Sequence, residues 1–325
     1  MITAKDRDDS LSLQGLIATQ SRLSVQHAIA PILATKQAAV EAGIGGEERV
    51  AEVLRSYTFP IKNTIFHDLS LSSDSTFQMD HFFKTPYYGV ILETKNISGS
   101  LNFKENPPQL VQTKENGVVH SYESLVVQLE RNLELLTAWL KSRNIHLPLY
   151  GAVVLAYPKQ IVEFPPSKTT ILFPNMIPPY IKNLPRHGKK LELDAFNRLS
   201  AELLKCHRIY IPKPISETYQ IPFNELQSGV RCVTCGTIGM IKVPRTWHCP
   251  GCKANNHLAH IPALREWFLV FKRTITNSEC GEFMGGDIDT AKRILQSMEL
   301  DSKGAFRYQS YTMDFRKKGN PIKNK

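Results

Sequence analysis

The chain has 325 residues, of which 42% are hydrophobic and 22% charged, the proportions of a globular protein with room for two ordinary domains. Its formal net charge is +10, and residues 226–325 carry most of that excess, with 16 Lys and Arg against 8 Asp and Glu, whereas the first 225 residues hold 24 against 22. No apolar run is long enough to cross a bilayer, and the polar opening MITAKDRDDSLSLQ lacks the apolar centre of a secretion signal, so a cytoplasmic protein without a membrane partner is expected.

In chain order, residues 10–42 are rich in Ala, Leu and Ile and predict helix, kinked or divided by Pro31 and ending at Gly43. AGIGGEERVAEVLRSY predicts a second helix, because Val50, Val53, Leu54 and Tyr57 recur at helical spacing. Glu47 and Glu48 fall in its first turn, where carboxylates suit the helix dipole. Three strand-like runs follow, NTIFHDLSL, TFQMDHFF and YYGVILETKN. After a polar stretch around KENPPQL, the segment SYESLVVQLERNLELLTAWLKSRN carries a stripe of Leu125, Leu129, Leu133, Leu136 and Leu140, the mark of an amphipathic helix. YGAVVLAYP and KTTILFP predict buried strands, LDAFNRLSAELLK a helix, and the Pro-punctuated IPKPISETYQIPFNELQSG a linker. Strands interleaved with helices predict a mixed α/β core in the first two-thirds of the chain.

One hairpin carries charges where a core would be apolar. In YYGVILETKN, Glu93 and Lys95 share a strand face. If Lys84 and Gly89 flank the turn as a pair, Asp80 lies opposite Glu93 on that same face. Two facing carboxylates repel, and a hard divalent cation such as Mg²⁺ or Mn²⁺ would relieve the repulsion, with the backbone carbonyl of Thr94 as a third oxygen ligand. Lys95 could then position a water or stabilise charge on a phosphate. On spacing alone, a solvated hairpin with one ordinary salt bridge explains the same residues.

Six cysteines are present, and four of them, Cys232, Cys235, Cys249 and Cys252, form two C-x-x-C pairs separated by thirteen residues. Without a secretion signal, this spacing points to a metal and not to disulfides. Four thiolates close a tetrahedral shell, so the expected ion is a structural zinc, with Gly236 and Gly251 easing the two turns. Cys206 and Cys280 are expected as core residues, and His248, His257 and His260 as packing or surface groups.

The C-terminal segment predicts a first helix lined by Leu264, Trp267, Phe268 and Phe271, a short second helix at TNSECGEFM, a turn at Gly285 and Gly286, and a third helix capped by Asp287 or Asp289. A hairpin at SKGAFRYQSYTMDF follows. This order resembles a winged helix-turn-helix, which would set Lys292 and Arg293 early in a recognition helix. Lys317 and Lys318 in the basic tail RKKGNPIKNK would contact phosphates.

The D-(x12)-E-x-K spacing at Asp80, Glu93 and Lys95 resembles the PD-(D/E)xK nuclease signature, with Met79 where that signature has proline. GIGGEERV, QMDHFF, GVILETKNISGSL and QLERN together resemble the nuclease-related domain, NERD, over roughly residues 41–165. The resemblance implies a restriction-endonuclease-like mixed sheet flanked by helices. It implies that Asp80 and Glu93 ligate the catalytic Mg²⁺ or Mn²⁺, that Lys95 is the catalytic lysine, and that Glu47 and Gln128 join the site. The expected organisation is an N-terminal helical segment over 1–40, able to drive homo-oligomerisation, a NERD nuclease-like domain over 41–210 and a linker over 211–227. A zinc ribbon over 228–262, a winged-helix-like domain over 263–315 and a basic tail over 316–325 complete it. The expected function is a metal-dependent nuclease acting on nucleic acid, DNA first, with two alternatives: a non-catalytic nucleic-acid-binding protein with a relic core, or an oligomerising interaction module.

Overall fold

The computed structural model describes residues 2–186, 190–305 and 308–316. Two compact units emerge, one of residues 1–9 with 41–209 and one of residues 10–40 with 210–325.

The chain begins with β1 (Ile2–Lys5), α1 (Leu11–Arg22) and α2 (Ala30–Ser56). The helical break falls at residues 23–29 and not at Gly43, so α2 runs through Gly43, Gly45 and Gly46. Pro31 sits in the first turn of α2, where a missing N–H forfeits no helical hydrogen bond, and there it starts a helix instead of kinking one. Glycine inside a helix costs about 1 kcal/mol relative to alanine. At Gly46 a close approach explains it: an added Cβ would lie 3.0 Å from Asn96 Cβ and 3.1 Å from Ala156 Cβ.

The three expected strands are β2 (Thr64–Ser72), β3 (Thr76–Lys84) and β4 (Gly89–Lys95). The polar stretch that sequence reading leaves unassigned forms β5 (Ser100–Glu105), β6 (Pro108–Thr113) and β7 (Val119–Glu123). Next come α3 (Leu125–Lys141), capped by the Ser124 hydroxyl, then β8 (Leu149–Leu155), β9 (Ile161–Phe164), β10 (Thr170–Leu172), α4 (Ile177–Asn183) and α5 (Leu193–Cys206). A six-stranded mixed sheet has the order β1-β2-β3-β4-β8-β10, with β4 and β8 parallel at its centre. One face packs Phe82, Ile91 and Val153 under Leu129, Leu136 and Trp139 of α3 and Leu199 and Leu203 of α5. The other packs Phe83, Val90 and Val154 under Val50 and Leu54 of α2 and Ile177 and Ile181 of α4. This is the expected mixed sheet flanked by helices. A second sheet, β7-β6-β5-β9, lends Leu101, Phe103 and Leu110 to the α3 side of the core.

In the second unit the segment read as a linker carries α6 (Ile215–Tyr219) and buries Ile215, Ile221 and Leu226. The cysteine region forms a four-stranded sheet of β11 (Val230–Arg231), β12 (Ile238–Val243), β13 (Thr246–His248) and β14 (Asn255–Asn256). Then follow α7 (His260–Val270), β15 (Thr274–Thr276), α8 (Asn277–Met284), α9 (Ile288–Ser297), β16 (Leu300–Lys303) and β17 (Ser310–Met313). The last three strands form a sheet in the order β15-β17-β16. Arg22, fully buried at the end of α1, pairs with Glu266 of α7 at 2.7 Å, and Glu266 also holds Arg231 of β11. This shared carboxylate ties helix, helix and strand into one core. Among the described residues no helix is long and apolar enough to cross a membrane.

Candidate active site and metal centre

The β3–β4 ladder runs from Lys84↔Gly89 to His81↔Leu92, the register that alternation predicts, and its next rung holds Asp80 and Glu93. The β2–β3 ladder keeps one register on both sides of Asp68, with His67↔His81 before it and Leu69↔Met79 after it. Asp68 therefore lies opposite Asp80. Its φ of +54° is left-handed, a region that Asp enters more readily than most residues. Three carboxylate residues thus occupy one rung across β2, β3 and β4.

The surroundings of each carboxylate differ. Asp80 is half-buried and its Oδ2 accepts from the Thr94 amide at 2.7 Å. The Thr94 backbone thus meets Asp80 through its N–H. Glu93 is 1% exposed. Its Oε1 accepts from Gln128 Nε2 on α3 at 2.5 Å and lies 3.5 Å from Lys95 Nζ. Its Oε2 is buried with no hydrogen-bond partner among the described residues. Asn132, one turn beyond Gln128, donates to the Gln78 carbonyl at 2.9 Å and fixes α3 against β3. Glu47, in the middle of α2 and not in a first turn, pairs with Arg7, whose other nitrogen donates to the Ile44 carbonyl at 2.7 Å.

Burial, with like charge nearby, raises the carboxyl pKa values. Glu93 is pushed up to about 8, first by burial and then by Asp80, against the pull of Lys95. Glu47 is pushed up to about 7 by burial, then by Asp80, with Arg7 opposing. Asp80 is raised by burial although Lys95 and the Thr94 amide favour its charged form. Such a cluster stores repulsion that a hard cation with oxygen ligands relieves. The buried, unpartnered Glu93 Oε2 is the atom that a cation would satisfy, so the donor set fits one.

The sequence brings Asp80, Glu93, Lys95, Glu47 and Gln128 into view, and the structure gathers all five. Sequence reading misses Arg7 and Asp68. Asp68 left a signal, a charge inside the apolar run IFHDLSL, whereas Arg7 is linked to the site only by the fold. Beside the rung, His67 and His81 sit Nδ1 to Nδ1 at 2.7 Å, so one imidazole donates and the other accepts. Burial pushes both down, His67 to about 4.

Cys232, Cys235, Cys249 and Cys252 bring their sulfurs within 4.8 Å of one another, and among the described residues they are the one group of three or more potential ligands so gathered. The Cys232–Cys252 and Cys235–Cys249 pairs stand at 3.7 and 3.6 Å. Tetrahedral zinc with Zn–S bonds of ~2.3 Å sets its sulfurs ~3.8 Å apart, so the thiols fit that ion. The residue after each knuckle's second cysteine has positive φ, Gly236 at +78° and Lys253 at +63°. The second knuckle thus turns at Lys253, and Gly251 is not the residue that eases it.

Lys292 and Arg293 are exposed on α9, which begins at Asp287, the cap that accepts from the Thr290 amide at 2.8 Å. Lys317 and Lys318 lie outside the described residues.

Residues 42–156 match the family model of the nuclease-related domain, NERD. No curated protein and no solved structure matches the chain.

Proposed function

Taking the nuclease-related domain at residues 42–156 as the premise, we propose that this protein is a metal-dependent nuclease that hydrolyses phosphodiester bonds, in DNA first, and that its C-terminal unit binds the nucleic acid. The observation that carries the reading is the buried, unpartnered Glu93 Oε2 beside two further carboxyls of raised pKa. Asp80, Glu93 and the Thr94 carbonyl would hold Mg²⁺ or Mn²⁺, with Glu47 close by. Such an ion supplies charge neutralisation at the phosphate and a water of lowered pKa. Lys95, half exposed beside Glu93, orients a water or stabilises charge on the phosphate oxygens. Gln128 holds Glu93 through Oε1 and leaves Oε2 as the oxygen that would bind the ion. Arg7 keeps Glu47 oriented and favours its ionised form.

In the C-terminal unit, the four thiolates would hold a structural zinc, and α7, β15, α8, α9 and the β16–β17 strands follow a winged-helix order with Lys292 and Arg293 facing out. One observation favours the alternative of a nucleic-acid-binding protein without catalysis: the Arg7 guanidinium already supplies a positive charge beside Glu47. Incubation of the purified protein with plasmid DNA and Mn²⁺ separates the two. Cleavage by the wild type that falls at least about 10²–10³-fold in Asp80→Ala, the scale for losing a preorganised electrostatic group, supports the nuclease. Equal, intact plasmid with both proteins across duplex and single-stranded substrates overturns it.

A further inference from the structure

The second unit contains a cleft of about 750 Å³ between the β12–β13 turn of the cysteine region and the α8–α9 turn. One wall holds Lys242 and Arg245, the other Gly285, Gly286, Thr290 and Arg293, and His257 and His260 line the space between. Among the described residues Lys242, Arg245 and Arg293 join no ion pair. The cleft's one carboxylate, Asp287, is spent on the α9 cap, where both oxygens contact Thr290 at 2.8 Å. His260 adds a buried Nδ1 with no hydrogen-bond partner among the described residues.

Three cations against one carboxylate along one open cleft leave a positive excess that suits a polyanion. The lining contains no Phe, Tyr or Trp, the larger platforms on which the bases of a single strand stack, and its only rings are the imidazoles of His257 and His260 and the ring of Pro244. Trp247 is adjacent in sequence to the cleft wall but is buried, with Lys242 Nζ 5.6 Å from its ring centre. Cationic charge with few stacking surfaces suits the sugar–phosphate backbone of a duplex.

We infer that this cleft is a phosphate-backbone site for double-stranded DNA, in which the β12–β13 turn and α9 grip one duplex together. The β12–β13 turn is thereby a DNA contact and more than a support for the metal cluster. Arg245 stands at its tip with φ +67°, a conformation that sets the turn geometry from which its exposed side chain extends. The inference rests on the proposed nucleic-acid role of this unit and adds a second arm to it.

The test is the salt dependence of binding to a fluorescein-labelled 20-base-pair duplex, read by anisotropy with the full-length protein and no added Mn²⁺ or Mg²⁺. Each phosphate contact removed should lower the slope of log K against log salt by about 0.9. Arg245→Gln and Arg293→Gln are each expected to do so, and the double variant to lose about twice as much. Lys213→Gln, a cation of the same unit paired with Glu217 away from the cleft, should leave the slope unchanged. Retention of one zinc per chain by every variant shows that the metal cluster is intact. If Arg293→Gln lowers the slope and Arg245→Gln does not, α9 binds DNA without the cleft: the inference fails and the proposed function stands. If Lys213→Gln lowers the slope as much as Arg245→Gln, binding is diffuse and the inference fails. If the wild type binds no duplex, the inference and the DNA-binding half of the proposed function fail together, while plasmid cleavage still reports on the core.

Discussion

The molecule assembles its thiol cluster and its carboxylate cluster by opposite means. The four cysteines come from one stretch of 21 residues, Cys232 to Cys252, and two local knuckles bring them together. Each knuckle closes on its own backbone, with Gly236 N–H donating to the Cys232 carbonyl and Lys253 N–H to the Cys249 carbonyl, both at 2.9 Å. The carboxylates come from α2, β2, β3 and β4, and their orientation depends on Arg7 from the segment after β1 and Gln128 from α3. The first cluster is complete in itself, as a structural ion requires. The second is buried and crowded, its carboxyl pKa values are raised, and Glu93 Oε2 has no hydrogen-bond partner among the described residues. A closed site can be read locally, whereas an open one exists only after the sheet has formed.

This contrast can be broken most directly through the cysteines. Free energy of structural zinc binding is about 10–16 kcal/mol in small zinc domains, so losing one thiolate is a large perturbation. Cys249→Ser is expected to lose the single zinc that copurifies and to expose the C-terminal unit to proteolysis, while the sheet of the first unit stays folded. Metal content by mass spectrometry and limited proteolysis check this, and a full complement of zinc in the variant would refute the closed cluster.

The carboxylate site should respond to pH instead. Burial, then Asp80, pushes the Glu93 carboxyl from its ordinary 4.5 up to about 8 in the fold. A raised carboxyl pKa contributes stability that is complete below about 4.5 and is lost as pH rises through about 8. In buffer freed of Mg²⁺ and Mn²⁺ by resin, the thermal midpoint of the wild type relative to Glu93→Gln should fall between pH 5 and pH 8.5, a difference that cancels the opposite contributions of His67, His81 and Lys84, whose pKa values burial lowers. Added Mn²⁺ should restore it most at the upper end, and Glu93→Gln should flatten the profile. An apo difference between wild type and Glu93→Gln that rises over this range contradicts the crowded site.

A smaller effect tests the contribution of Arg7. Removing an opposite charge near a carboxylate moves its pKa by about 1 unit or more. In Arg7→Gln the pH midpoint for Mn²⁺ binding, followed by calorimetry, should move up by about 1 unit, and Arg7→Lys should restore most of the shift. An unchanged midpoint would make Arg7 a bystander and confine the site to the matched domain.

These contrasts also explain what the sequence made legible. The hairpin register, and with it the meeting of Asp80 and Glu93, followed from strand alternation and one assumed turn pair. The cysteine cluster followed from spacing. The hairpin β5–β6 around KENPPQL escaped because only Leu101, Phe103 and Leu110 enter the apolar core, while the polar Gln112 is buried through hydrogen bonds with the Ser98 carbonyl and the Tyr122 hydroxyl. The boundary at Gly43 misled because glycine's cost in a helix is small beside the packing of Val50 and Leu54. Arg7 was beyond reach of any local pattern, since its partner is 40 residues away and only the fold joins them.

Gly46 gives the carboxylate site a dimension. The missing methyl group lets α2 settle against Asn96 and Ala156, and the neighbouring Glu47 comes with it. Mg²⁺ accepts oxygens at about 2.0–2.1 Å and Ca²⁺ at about 2.3–2.6 Å, a difference of a few tenths of an ångström. A Cβ at position 46 would demand a displacement of the same size. The bare backbone at this one helical turn therefore acts as a spacer of fixed thickness between α2 and the strand ends beside the carboxylates, set by a residue with no side chain to coordinate anything.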